Sequence, residues 1–354
     1  MKIKFTIAAA ILAFSASCAG AEPQNQYKLT VNFDPENDGE VVYLFDYDTG
    51  EKIDSTLLDG GIALFTGSAD TPRLVRIISG GERFGSVILE KANIDVWAFE
   101  GRCESDGVLS MRSDAFEAEV DKLGQQLRAL PDDSASAIKA DSIYAAYDEM
   151  MEQIIAENAG NPLGKYMFMN VASSLDLAGY DEYMAKYPAL KDWTRIANLR
   201  DGLLKRAETS VGKKYKDFEV TYDGTTKRLS DYVGPDHYTI VDFWASWCGP
   251  CIRQVKVLKE LYGEYADKGL NFLSVAVWDK PENTLEAIKS HEITWDQIID
   301  AQSIPTDLYG ISGIPCIILI APDGTIVSRD KQGDDLKADV AAAMSTFEAP
   351  ATKE

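Results

Sequence analysis

The first third of the chain shows short apolar runs separated by turn sequences. Asn37-Asp38-Gly39, Asp48-Thr49-Gly50, Asp59-Gly60-Gly61 and Gly80-Gly81 stand between runs rich in Val, Ile, Leu, Tyr and Phe. Strands at this spacing are typical of a small antiparallel β-sandwich, predicted here for residues 25–105. The predicted strands are 27–33, 41–47, 62–66, 74–78, 86–90 and 93–99.

The middle of the chain changes to the spacing of helices. One apolar stripe runs from Phe116 to Leu130 and stops at Pro131, and a second runs from Ile138 to Ile154 and is ended by Gly160-Asn161-Pro162. A third block extends from Trp193 to Leu203. Such stripes predict amphipathic helices with one face towards a core. Residues 112–208 are therefore predicted to be a helical spacer that also offers a dimer contact.

Strand and helix patterns alternate in the last part, which predicts an α/β domain over residues 212–348. A hairpin at Ala321-Pro322-Asp323-Gly324 precedes the last helix. The predicted strands are 239–244, 271–277 and 316–320, and the predicted helices are 250–267, 282–290 and 334–344.

The N-terminus has the composition of a secretory signal peptide over residues 1–21. Lys2 and Lys4 precede an apolar stretch, and small residues follow it. Ala19-Gly20-Ala21 fits cleavage by an ordinary signal peptidase, whereas Ser15-Ala16-Ser17-Cys18 resembles a lipoprotein signal with Cys18 as the lipidated residue. Both routes predict an exported protein of the periplasm or cell envelope, and the second adds a membrane anchor.

Charge and composition exclude some partners. The chain has 35 Lys and Arg against 57 Asp and Glu, a net charge of −22, which argues against binding to nucleic acid or to anionic lipid surfaces. No apolar run after residue 21 is long enough to span a membrane. A structural disulfide framework is not expected, because Cys103 and Cys316 lie in different predicted domains. Cys103 is an inert small hydrophobic residue, a third redox thiol or a link to another chain, and the lack of a partner within sequence reach favours the first.

The candidate chemistry lies where a strand meets a Cys-x-x-Cys motif. Residues 238–244 are largely β-branched or aromatic, and Gly249-Pro250 between Cys248 and Cys251 favours the start of a helix. Cys248 then lies at a helix N-terminus, where unpaired N–H groups and the helix dipole stabilise a thiolate that attacks disulfides. Cys251, one turn further in, is placed to resolve the mixed disulfide.

Zinc sites use the same cysteine spacing but need a second pair of ligands. His237 and His291 are the only histidines, and neither has ligand spacing. We therefore predict no metal and no organic cofactor.

The run from Phe243 to Cys251 closely resembles the active site of thioredoxins. Asp242 matches the buried aspartate of that family, and Gly313-Ile314-Pro315 matches its cis-proline loop. Together with residues 212–218 and 313–324, these motifs resemble the TlpA/ResA group of exported thiol-disulfide oxidoreductases. The resemblance implies a thioredoxin-like α/β fold for the C-terminal domain.

The same resemblance implies roles for further residues. Asp242 is expected to take up the proton of Cys251, since a carboxyl in an apolar strand has a raised pKa. The main chain at Ile314, beside Pro315, is expected to pair with the substrate backbone, and Trp247 to shape the docking surface. Two positions depart from the group, which often has a glutamate where Gln254 stands and a proline where Lys256 stands.

The N-terminal region loosely resembles a β-rich domain of unknown function that often precedes thioredoxin-like proteins of the cell envelope. Residues 41–54, 61–67 and 88–90 carry that likeness. It implies no activity.

The predicted function is dithiol exchange with protein disulfides at Cys248 and Cys251. Gly249-Pro250 is the dipeptide of thioredoxin, which is far more reducing than the oxidant DsbA, and this favours a reductase. A reductase outside the cytoplasm needs a membrane thiol-electron transporter as donor, with disulfide-containing exported proteins such as apocytochrome c as candidate substrates. The role would then include cytochrome c-type biogenesis.

Two alternatives stay open at this stage. A thiol peroxidase of the peroxiredoxin type is disfavoured by Ala245, which stands where those enzymes have a threonine before the peroxidatic cysteine. In the other alternative, the N-terminal sandwich binds a ligand or partner and the last domain is a scaffold.

Overall fold

The computed structural model describes residues 26–33, 38–99, 102–131 and 134–347. The chain divides into two compact units, with the division after Asn170. The leader predicted for residues 1–21, including Cys18, lies outside the described residues. No helix in the described ranges is both long enough and apolar enough to cross a membrane.

The first unit contains two four-stranded sheets that share one core. The sheet orders are β4-β1-β7-β8 and β3-β2-β5-β6. Alternate residues point inward, so that Leu29 and Val31 of one sheet and Val42 and Leu44 of the other are fully buried in the same cluster. The strands are β1 Gln26–Asn32, β2 Val41–Asp46, β3 Lys52–Leu57, β4 Ile62–Ser68, β5 Arg73–Ser79, β6 Glu82–Leu89, β7 Asn93–Phe99 and β8 Arg102–Ser105.

This arrangement confirms the predicted β-sandwich, with one difference in strand direction. β1 and β7 pair in parallel, with Lys28 opposite Asn93, whereas the other pairs are antiparallel. A parallel pair needs a long crossover connection. The chain between β1 and β7 supplies it, because it forms the whole of the second sheet on the way.

Helices follow the sandwich in chain order. Pro162 opens the third helix, where its missing N–H costs nothing. The helices are α1 Val108–Arg128, α2 Ser134–Asn158, α3 Pro162–Ala172, α4 Leu177–Lys186 and α5 Thr194–Glu208. The residues of the predicted spacer are thus helical, and they fall in both units. The boundaries of the predicted domains stay a prediction.

The second unit is built on a five-stranded mixed sheet of order β13-β12-β11-β14-β15. The central strand β11 pairs in parallel with β12 and antiparallel with β14. Helices cover both faces, as the α/β prediction required. The elements are β9 Glu219–Tyr222, β10 Thr225–Arg228, β11 Tyr238–Trp244, α6 Gly249–Tyr265, β12 Leu270–Ala276, α7 Pro281–Ser290, β13 Asp296–Ile298, α8 Ile304–Tyr309, β14 Cys316–Ile320, β15 Ile326–Arg329 and α9 Gly333–Ser345.

A buried arginine joins α5 to this sheet. Arg329 at the end of β15 donates to Thr209 O and to Tyr309 O, both at 2.9 Å. Close to these bonds, a Cβ atom at Gly310 would lie 2.1 Å from Gly202 O of α5, so the helix approaches too closely for any side chain there. The last helix before the sheet is therefore packed into the second unit.

Candidate functional site

The two cysteines lie at the carboxyl end of the central strand. Cys248 is the N-cap of α6, with extended backbone, and Pro250 occupies the first turn. Cys251 N lies 3.2 Å from Cys248 Sγ, so an amide N–H points at that sulfur. The two cysteines are joined as a disulfide. On reduction, the same N–H and the helix dipole stabilise the thiolate of Cys248.

Burial differs between the pair and its neighbour. In the disulfide form Cys248 and Cys251 are 4% and 1% exposed, whereas Trp247 is 61% exposed. The indole of Trp247 is nevertheless fixed, because its Nε1 donates to Trp278 O at 3.0 Å. A large apolar side chain is thereby held out to solvent directly beside Cys248 in the chain.

The loop before β14 reaches the same point. Ile314 O lies 3.6 Å from Cys248 Sγ. The peptide bond between Ile314 and Pro315 is cis, as the resemblance implied. The structure therefore brings together Cys248, Cys251, Ile314 and Pro315 from two distant parts of the sequence.

Asp242 lies in the middle of β11 and is buried. Strand alternation places its side chain on the face of Ile240 and Trp244, which belong to the same apolar cluster as the cysteine pair. Burial raises the pKa of the Asp242 carboxyl to about 7, partly opposed by a hydrogen bond from Ser274 Oγ at 3.3 Å. Asp242 Oδ1 accepts no hydrogen bond from any described residue. A carboxyl with such a pKa can exchange protons near neutral pH.

Two further cysteines of the described ranges, Cys103 and Cys316, are packed in apolar clusters. Cys316 lies in the cluster on the other face of the sheet, with Ile318 and Ile320, and burial raises its pKa well above the usual value. Strand alternation thus turns the Cys316 side chain to the face of the sheet opposite the cysteine pair. Burial raises the pKa of Cys103 to about 12, and a Cβ atom at Gly85 would lie 2.7 Å from Cys103 Sγ. Both thiols have the surroundings of inert core residues.

Gln254 stands where the TlpA/ResA group often has a glutamate, and in this structure its side chain makes a hydrogen bond to another helix. Its Oε1 accepts from Gly333 N at 3.2 Å, at the start of α9. An amide cannot take up a proton near neutral pH. The only buried carboxyl facing the cysteine pair from β11 is therefore that of Asp242.

Sequence reasoning missed the residues that support this site. Asp279 accepts two hydrogen bonds from Ser246, and Trp295 donates to the Ser274 hydroxyl. A signal for Asp279 was available, because it follows the predicted strand beside β11 and the carboxyl ends of parallel strands meet at one edge. Ser274 carried no such signal, since its role depends on the register that sets it opposite Asp242.

A central β11 flanked by one parallel and one antiparallel strand, with a cysteine pair opening the next helix, defines a thioredoxin-like fold. Residues 211–329 match the AhpC/TSA family. Residues 27–102 match a domain of unknown function, DUF4369. The N-terminal resemblance noted in the sequence is confirmed, and it still names no activity.

Curated relatives match about a third of the chain. The thiol-disulfide oxidoreductase ResA of Geobacillus thermodenitrificans is 29% identical over 123 residues, which is 34% of this chain and 70% of that protein. ResA of Oceanobacillus iheyensis is 28% identical over 134 residues, 37% of this chain and 68% of that protein. The resemblance to thiol-disulfide oxidoreductases is thus confirmed.

Two solved structures are similar to part of the chain. A thiol-disulfide oxidoreductase from Bacteroides fragilis shares 29% identity with a TM-score of 0.34, covering 37% of this chain and 98% of that one. The thioredoxin domain of a thiol-disulfide oxidoreductase from Bacteroides vulgatus shares 27% identity with a TM-score of 0.34, covering 38% and 96%.

Proposed function

We propose that this protein is an exported thiol-disulfide oxidoreductase that reduces disulfides of other proteins. The observation that carries the proposal is the disulfide of Cys248 and Cys251 at the N-terminus of α6, beside Ile314 O and above a carboxyl whose pKa is raised to about 7. This arrangement supplies a stabilised thiolate, a resolving thiol and a proton acceptor within one domain.

The reaction proceeds in two exchanges. The Cys248 thiolate attacks one sulfur of a substrate disulfide, forms a mixed disulfide and releases the other sulfur as a thiolate. Asp242, through a bridging water, takes the proton of the Cys251 thiol, and the resulting thiolate attacks Cys248 Sγ. The second substrate sulfur leaves as a thiolate, the substrate has gained two electrons, and Cys248 and Cys251 form the disulfide.

Docking is proposed to use two flanking elements. The exposed indole of Trp247 offers an apolar contact, and the main chain of Ile314 next to Pro315 offers hydrogen bonds to an extended substrate segment. Both lie beside Cys248, a residue that is only 4% exposed, so the substrate polypeptide must adapt its local conformation to the site.

Reduction is the proposed net direction, because Gly249-Pro250 is the dipeptide of the reducing thioredoxins. Each turnover leaves the enzyme oxidised, so a dithiol donor is needed. In an exported protein we assign that task to a membrane thiol-electron transporter. Candidate substrates are exported proteins with disulfides, including apocytochrome c.

The thiol peroxidase alternative has less support. The matching family is described by its peroxidases, but Ala245 lacks the hydroxyl that a peroxidatic site places there. The ResA relatives carry the name of thiol-disulfide oxidoreductases. A role of the N-terminal sandwich in binding a partner is compatible with the exchange activity and adds to it.

The decisive experiment measures turbidity from insulin reduction with dithiothreitol as donor. We expect activity in the wild type, loss in Cys248→Ser, and wild-type activity in Cys103→Ala, whose thiol packs in the other unit. A Cys251→Ser variant should trap mixed disulfides with substrates. An inactive wild type that instead consumes hydrogen peroxide rapidly would replace this proposal with the peroxidase.

Export and anchoring are tested separately. Deletion of residues 2–21 should retain the protein in the cytoplasm. If Cys18 is the lipid attachment site, metabolic palmitate labels the wild type and not Cys18→Ala. An unlabelled wild type with a mature N-terminus after Ala21 assigns the ordinary signal peptidase route.

A further inference from the structure

A short loop after β12 holds the turn that leads into the cysteine pair. The loop residues Trp278 and Asp279 bind Ser246 and Trp247, which directly precede Cys248. The two segments are far apart in sequence and meet because β11 and β12 are parallel neighbours whose carboxyl ends lie at one edge. Nothing in the Cys-x-x-Cys motif itself requires this loop.

The carboxylate of Asp279 is buried and uses both oxygens. Oδ2 accepts from Ser246 N at 2.7 Å and from Thr284 Oγ1 at 3.0 Å. Oδ1 accepts from Ser246 Oγ at 3.0 Å and from Lys280 N at 2.8 Å. Hydrogen bonds to an ionised acceptor are stronger than those between neutral groups. Removing this carboxylate leaves the Ser246 N–H without a partner in a partly buried turn.

The main chain of the same loop completes the clamp. Gln302 Nε2 donates to Asp279 O at 2.7 Å, which fixes the peptide between Asp279 and Lys280. Trp278 itself has a left-handed backbone, with φ of 53°, and its carbonyl receives the Trp247 indole N–H. The loop therefore holds the backbone of Ser246 and the side chain of Trp247 together.

A plain alternative is that Asp279 only stabilises the start of α7, through Lys280 N and Thr284 Oγ1. That role explains two of its four hydrogen bonds. The other two go to Ser246, in a different element, next to the exposed indole. Their geometry is what a device for orienting the turn requires.

We infer that Asp279 is a positioning residue for dithiol exchange. It holds the Ser246-Trp247 turn rigid, so that the Trp247 indole and the Cys248 sulfur meet a protein disulfide in one fixed orientation. This inference rests on the proposed function for its kinetic consequence. Its structural consequence, a fixed Trp247 indole, stands without it.

The kinetic test compares Asp279→Ala with a matched control in the same domain. Asp217 accepts from Ser230 N and Ser230 Oγ, both at 2.8 Å, which is the same pattern of bonds in a loop outside the site. We expect Asp279→Ala to raise KM for insulin by about tenfold or more, because the free energy of one charged hydrogen bond corresponds to a factor of that size. Asp217→Ala should keep the wild-type KM.

A small aromatic disulfide reagent separates docking from thiol chemistry. It needs no docking surface, so its rate of reaction with reduced Asp279→Ala should stay within about twofold of the wild-type rate. That change is much smaller than the tenfold rise in KM expected for insulin. Asp279→Asn keeps one acceptor oxygen for the Ser246 N–H and should therefore have a KM for insulin close to that of the wild type. Equal loss with both disulfides would overturn the positioning role, as would an insulin KM unchanged in Asp279→Ala.

A second measurement does not depend on activity. The Trp247 indole N–H is assigned by the loss of its signal in Trp247→Phe. It should exchange with solvent about tenfold faster in Asp279→Ala than in the wild type, and Asp279→Asn should show an intermediate rate. Unchanged exchange overturns the inference whether or not the protein reduces insulin. If the wild type is inactive while exchange accelerates as expected, the proposed function fails and the positioning of Trp247 stands.

Discussion

Ser274 Oγ lies 3.3 Å from Asp242 Oδ2 and at the same time accepts the indole N–H of Trp295 at 2.9 Å. Because the hydroxyl accepts from Trp295, its own proton is directed at the carboxylate. The bond favours the ionised form and lowers the pKa of Asp242 against the stronger, opposite effect of burial. The pKa of the Asp242 carboxyl is thus tuned by a residue of the neighbouring strand β12.

Removal of that hydroxyl should shift the pH dependence of the resolving step. In Ser274→Ala, the pKa of Asp242 rises further, so the carboxylate needed to accept the Cys251 proton forms at higher pH. We expect the midpoint of the resolving rate to rise by roughly half to one pH unit in single-turnover reactions. Ser290→Ala, on the surface of α7, serves as control, and an unmoved midpoint would remove Ser274 from the proton path.

Replacement of Asp242 should separate the two exchanges. Asp242→Ala leaves the helix N-terminus at Cys248 intact, so attack on the substrate should be little changed. Resolution should slow by about 100-fold, a usual contribution of a general base. Rapid quenching with separation of the mixed disulfide measures both rates, and equal slowing of the two steps contradicts the assigned role.

The raised pKa of Asp242 also predicts a dependence of stability on pH. The folded protein keeps this proton up to about pH 7, whereas the unfolded chain releases it near the ordinary aspartate pKa of 3.8. Stability contributed by the protonated carboxyl is therefore lost as pH rises from about 4 to 7 and stays low above that range.

Asp242→Asn, which stays neutral, should be more stable than wild type at pH 8.5 by up to about 4 kcal/mol and nearly equal at pH 4. Urea unfolding followed by tryptophan fluorescence measures this, since five of the six tryptophans lie after residue 170. Asp267→Asn, at a surface carboxyl, should show no such pH dependence. A constant difference between Asp242→Asn and wild type at both pH values contradicts the shifted pKa.

The two packed thiols should be unreactive in the folded protein. Burial raises the pKa of Cys316 and Cys103, so little thiolate forms near neutral pH. Alkylation of the native, oxidised protein followed by peptide mapping should label both slowly, and denaturation should make labelling fast. Recovery of any disulfide that contains Cys316 would make this a three-cysteine enzyme.

Much of the site was predictable because its motifs are local. The run from Phe243 to Cys251 contains a strand, a turn and a helix start, and each follows from the residues present. Pro315 was assigned through resemblance, and only the fold shows that its neighbour Ile314 reaches Cys248. Asp279 and Ser274 act through register and strand adjacency, which a single sequence encodes only indirectly.

The sheets show the same limit. β3 was missed because Lys52, Asp54 and Ser55 dilute its apolar alternation. None of its residues is fully buried, and its pairing with β2 defines it as a strand. The parallel pairing of β1 with β7 depends on the path of the chain through the second sheet. Strand patterns give the faces of a sheet, but strand order comes from contacts between distant residues.

The Arg329 guanidinium sets a lower limit on any excised catalytic fragment. A fragment cut at residue 211, where the family match begins, keeps Tyr309 but discards Thr209 and all of α5. The buried Arg329 guanidinium would then lose Thr209 as a hydrogen-bond acceptor, and the surface around Gly310 that packs against Gly202 would be exposed to solvent. The smallest autonomous enzyme in this chain therefore has to include α5, beginning before Thr194.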